Sequence, residues 1–206
     1  MPLLLWGSSM QRRQAFQAGL DHLFELGRVT SQPPVDPHPR PLHVFGLRDV
    51  LAKQAIVQTP AVPISWRYFA GIDSGAPVAG DVNVSTPPKV TGLRYGPQVT
   101  KILEAEKALA SLPEIAASVD WELRLIRIPG VLVEAFWFTL PSQGNGSGSL
   151  VVPAAYYPTF IDNLEPGKAL PVEEFLEKVR PLAEKILRLH DSPGAAGAPP
   201  LRSQSV

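Results

Sequence analysis

Few residues in this chain have types and spacing that could do chemistry, and the most suggestive is a carboxylate inside an apolar run. Glu134 interrupts the run 131–140, and Arg127 precedes it across Pro129-Gly130. On adjacent strands the two would form a diagonal ion pair, worth about 0.2–1 kcal/mol. The alternative is a carboxyl held in an apolar pocket with a raised pKa, suited to acid–base work. Asp81, Asn83 and Ser85 form a second polar group, alternating with Val82 and Val84. A polar stripe of this kind either faces water or lines a pocket for a small polar ligand.

Other chemical signatures are missing. The glycine-rich stretch 144–148 has Ser149 where a dinucleotide fingerprint needs its third glycine, and a strand pattern rather than a helix follows. It contains no nucleophile elbow. Gly167-Lys168 lacks the upstream glycine of a phosphate-binding loop. His38, His43 and Asp36 share a proline-rich segment, but nothing there fixes ligand geometry, so no metal is expected. His22 and His190 fall on helical patterns and read as surface residues. Cysteine is absent, which removes thiol nucleophiles, disulfides and cysteine-ligated metals. No cofactor is expected, and the reading leans away from an enzyme.

Charge narrows the partners. The 19 basic and 19 acidic residues cancel, giving no electrostatic reason to expect nucleic acid or an anionic membrane. The apolar start, Leu3-Leu4-Leu5-Trp6, is too short for a signal peptide, and no stretch reaches the roughly 20 apolar residues of a spanning helix. A cytoplasmic protein is the expectation.

The elements that must position these residues can be read from periodicity. Residues 8–27 form an amphipathic helix, with Phe16, Leu20, Leu23 and Phe24 on one stripe and Gly27 suited to close it. Ser8 and Gln11 have capping-box spacing. The prolines of 31–41 exclude helix or central strand and predict a semi-rigid connector. A short helix at 47–54 and strands at 64–70 and 79–85 follow. Trp66 and Tyr68 share a stripe, with Arg67 pointing the other way; if exposed, the aromatics would be interface anchors. Pro97 opens a helix whose apolar side is Val99, Ile102, Leu103 and Leu109. The segments 121–128, 131–140 and 150–154 predict an antiparallel meander, with Trp121, Leu123 and Leu125 facing Phe136 and Phe138. A last helix spans 171–190, with Pro181 inside it.

The expected fold is α+β: an antiparallel sheet that includes the 121–154 meander, helices packed on one face, and the N-terminal amphipathic helix. Its domain organisation reads as helix 1–28, proline-rich connector 29–43, a single domain 44–191 and a disordered tail 192–206. Two functions are carried forward. The first is a noncatalytic interaction or assembly component, pairing with a protein partner or with its own copy through the stripe of 8–27. The second is a small-molecule-binding enzyme with a polar site near Asp81 and Glu134. Clustering of those two in one cavity would favour the second.

Overall fold

The computed structural model describes residues 9–29, 33–52, 63–72, 77–109, 111–116, 120–140, 148–156, 161 and 164–191. The expected tail 192–206, Ser8 and most of the glycine-rich stretch 144–148 lie outside these residues. Eight strands form one sheet: β1 (Arg40–Val44), β2 (Ser65–Ala70), β3 (Val78–Asn83), β4 (Val90–Tyr95), β5 (Glu122–Ile128), β6 (Val133–Thr139), β7 (Leu150–Tyr156) and β8 (Leu170–Pro171). The described helices are α1 (Met10–Glu25), α2 (Leu47–Leu51), α3 (Pro97–Leu109), α4 (Pro113–Ala116) and α5 (Val172–Asp191). The class is α+β.

The strand order is β4-β3-β2-β1-β5-β6-β7-β8. Two four-stranded meanders therefore stand side by side, each followed by a helix, and they meet through the parallel pair β1–β5. Every other neighbouring pair is antiparallel. Laying the meanders against each other with their first strands parallel turns one over relative to the other. The helix after each then falls on opposite sides of the sheet.

This is why the helices, expected on one face, cover both. The stripe Leu42, Phe69, Leu125, Phe136 and Val152 packs against Val99, Ile102 and Leu103 of α3. The opposite stripe of the second meander, Ile126, Val133, Ala135 and Val151, packs against Phe175, Leu176 and Val179 of α5. On that same side of the first meander, Trp66, Tyr68 and Val82 are covered by Phe16, Leu20 and Leu23 of α1. Successive strand residues point to opposite faces, so both core layers come from one run of alternating apolar residues.

The hairpin β5–β6 has the expected facing set, with Trp121 edge-on to Phe138 at 6.3 Å between ring centres. Its connection is longer than a two-residue turn: a 3-10 turn at Pro129–Val131, then Leu132 at φ 56. That left-handed backbone is uncommon for a leucine. The expected closure of α1 at Gly27 is present. Gly27 has φ 65, its N–H donates to the Phe24 carbonyl, and Arg28 N–H donates to Leu23. That is the Schellman arrangement, which a glycine makes without steric cost.

Two strands depart from expectation. Residues 40–43, placed in the proline-rich connector, form with Val44 a central strand. The Phe45 N–H donates to Arg127 on β5, so odd-numbered donors of β1 face β5. Pro41 has no donor to offer β5, and the β1–β5 ladder begins just after it, at Leu42↔Leu125, so the proline stands at the end of the ladder and not within it. The connector has thus ended by Arg40, and His43 lies inside the sheet. The edge strand β4 was not anticipated either; it carries Gly92 mid-strand and is only partly buried.

Candidate functional site

Five charged residues from five strands meet on the face covered by α3. Arg67, on β2, is 1% exposed and is the centre of the group. Its Nε donates to Asp81 Oδ1 at 2.7 Å and its Nη2 to Asp81 Oδ2 at 3.0 Å, a bidentate pair across β2 and β3. The far side of the same guanidinium serves Glu134 of β6, with Nη1 to Oε2 at 2.9 Å and Nη2 to Oε1 at 3.3 Å. Arg94 of β4 also donates to both carboxylates through Nη1 to Glu134 and Nη2 to Asp81. Charge-assisted forks of this kind are among the stronger hydrogen bonds in proteins.

The register shows how unusual the Arg67–Glu134 contact is. Arg67 aligns with Arg40 on β1, and the β1–β5 and β5–β6 ladders carry that line on to Phe138, four residues from Glu134. In a flat sheet the two Cα atoms would lie about 19 Å apart, from strand spacing and rise per residue. Their contact means the twist of the eight-stranded sheet brings this diagonal over on itself. Arg127 stands directly opposite Glu134, not diagonally. It approaches Glu134 Oε1 and Asp81 Oδ2 only to 3.6 Å each, beyond hydrogen-bonding distance.

Electrostatics follow from this geometry. Burial alone would push the Glu134 carboxyl up, but Arg67 and then Arg94 hold it below the ordinary range. The acid–base expectation required a raised value, and the direction is the reverse. Burial would lower the Arg67 pKa, yet Glu134 and Asp81 carry it above its usual value. Arg127 is lowered, by burial first and then by its neighbour Arg94. Three guanidinium groups thus share two carboxylates.

A cavity of about 540 Å3 opens beside the cluster, between α3 and the β5–β6 hairpin. Arg94, Arg127 and Glu134 form its polar floor. Val99, Ile102 and Ala105 of α3 make one wall, and Leu132 and Ala154 face them. Lys101 and Glu104 stand on its α3 side. The volume falls within the roughly 300–1,000 Å3 of small-molecule sites.

Of the residues singled out from sequence, Asp81, Glu134 and Arg127 come together here. Asn83 and Ser85 do not. Ser85 donates to Asn83 Oδ1, which also accepts from the Lys89 N–H, so this pair shapes the β3–β4 turn. The stripe Phe16, Leu20 and Leu23 is buried on the chain's own sheet, where Phe16 stacks on Tyr68 at 5.5 Å and Arg12 lies over Trp66. Trp66 and Tyr68 are therefore core, while Phe24 is 43% exposed. Asp36 is engaged by Arg40 at 3.0 Å and by the His38 N–H, and His43 is buried edge-on to Trp137 at 5.4 Å. Among the described residues no group of three or more His, Cys, Asp or Glu could hold a metal ion.

Sequence reasoning missed Arg67 and Arg94. Arg67 carried a usable signal: it is the charge within an apolar strand, the same argument that singled out Glu134. Arg94 sits on a half-exposed edge strand and had none. Compared with family models, curated proteins and solved structures, the chain matches none of them. Among the described residues no helix is long and apolar enough to cross a membrane.

Proposed function

We propose that this domain binds a small molecule, noncatalytically, in the cavity between α3 and the β5–β6 hairpin. The observation that carries the reading is the position of Arg94 and Arg127. They are 25% and 35% exposed in their side chains and line the cavity, while Arg67 and Asp81 behind them are sealed. Buried ion networks are costly to assemble, and one that opens onto an apolar-walled cavity gives fixed polar anchors for a ligand. Binding rather than acid–base chemistry fits the carboxylate at the floor, since Glu134 is held ionised by two arginines.

The assembly reading would have to use other surface than the α1 stripe, with Phe24 and Leu26 as the exposed apolar groups nearby. Scattered single side chains of this kind are ordinary on protein surfaces, so the cavity is the better supported site. The test is a small-molecule screen by ligand-observed NMR on the wild type and on Ala105→Trp, which fills the cavity from the α3 wall. Binders that are lost in the variant, with its fold intact by circular dichroism, support the reading. A set of hits that is the same for both proteins ends it.

A further inference from the structure

The cluster is one negative charge short. Arg67, Arg94 and Arg127 face Asp81 and Glu134, and the carboxylate oxygens are already engaged by hydrogen bonds from Arg67 and Arg94. Arg127 hydrogen-bonds neither carboxylate, lying 3.6 Å from each, although its side chain is only 35% exposed. A guanidinium in that position has lost much of its water and gained no forked acceptor in exchange. Its lowered pKa, from burial and from Arg94, records the same deficit.

The deficit faces the cavity. Arg127 and Arg94 both line it; Ile102 and Ala105 on one side and Leu132 and Ala154 on the other make its walls apolar, apart from Lys101 and Glu104 on α3, whose opposite charges leave the count unchanged. Leu132 is half exposed there and held in a left-handed backbone conformation. Glu134 on the same floor repels a second negative charge. A planar acceptor with two oxygens is the shape that a guanidinium fork matches.

Building on the cavity reading, we infer that the ligand is an amphiphilic monocarboxylate, its carboxylate held by Arg127 and Arg94 and its apolar body lying between α3 and Leu132. A single charge completes the cluster's neutrality, and a polyanion would meet Glu134. The walls require more carbon than acetate carries.

Isothermal titration of the full chain with decanoate, 1-decanol, decylammonium and acetate tests this. Decanoate should bind at least tenfold more tightly than decanol, while decylammonium and acetate should give no measurable heat. In Arg127→Gln the decanoate affinity should fall tenfold or more and decanol should be unaffected. Should that variant unfold, the wild-type Arg127 Nε–Hε NMR signal provides the readout: it should shift with decanoate and stay in place with decanol. Equal affinity for decanoate and decanol, or an Arg127 signal indifferent to decanoate, overturns the carboxylate while leaving the cavity as a binding site. Failure of all four probes in a protein whose screen yields Ala105→Trp-sensitive hits also overturns the carboxylate alone. Failure of the screen as well removes both.

Discussion

Arg67 and His43 stand on opposite faces of neighbouring central strands, and burial acts on them in opposite ways. Arg67 keeps its charge because two carboxylates clasp it; His43, 3% exposed and without a partner for Nε2, stays neutral. Its pKa is lowered to about 4 by burial first and Arg124 second. An unfolded chain takes that proton near 6.5, so the folded state loses stability as pH falls from 6.5 toward 4, by about 3 kcal/mol at most. Glu134 acts lower. Its depressed pKa contributes stability above the unfolded value of 4.5, and acidification through the folded pKa removes it. Urea midpoints measured from pH 7.5 to 3 should therefore fall in two stages. His43→Phe should flatten the upper stage, and Glu134→Gln should make the lower one shallower. A wild-type stability that is level between pH 6.5 and 4.5 would contradict the buried neutral histidine.

Helix α1 shows how an element's partner is fixed by one backbone position. Phe16 lies so close over Gly80 on β3 that a Cβ there would be 2.4 Å from the ring. Only glycine leaves room for the helix at this depth. Gly80→Ala should cost about 1–3 kcal/mol by overpacking. Leu20→Ser should cost about 3 kcal/mol or more, since it removes a fully buried side chain and strands a hydroxyl. Phe24→Ser should stay within about 0.5 kcal/mol. Chemical denaturation checks all three. If Leu20→Ser left stability intact and instead reduced the particle mass in light scattering, α1 would be packing in trans after all.

For the whole molecule, the two meanders are joined by more than their parallel strands. Helix α3 belongs to the first meander in sequence, yet its Val99, Ile102 and Leu103 share a core with Phe136, Phe138 and Val152 of the second. The ion cluster repeats this exchange, linking Arg67 and Asp81 of one meander to Glu134 of the other. Neither half can bury its apolar surface alone, so unfolding should be a single cooperative transition. Trp66 sits in the first meander and Trp137 in the second. Single-tryptophan variants retaining one or the other should give superimposable urea curves, and separated midpoints would mean independent halves.

What the sequence determined by itself was local. The stripe of α1, its glycine closure, the apolar side of α3 and the facing set of the β5–β6 hairpin all rest on side-chain period and turn chemistry within about 20 residues. Glu134 was also legible, because a charge among apolar strand residues needs a partner, and Asp81 was legible only as part of a polar stripe. Tertiary structure decided who that partner is. Arg67 and Glu134 are 67 positions apart in sequence and, by strand register, far apart even in a flat sheet. Their meeting depends on the parallel β1–β5 junction, hidden from pattern reading because β1 carries Pro41 just before the first pair of that ladder and follows a run of prolines. The same junction turned one meander over, sent the helices to both faces, and left the cavity between α3 and the hairpin. Periodicity reports which side of a strand is buried; the twist and order of strands decide what it is buried against.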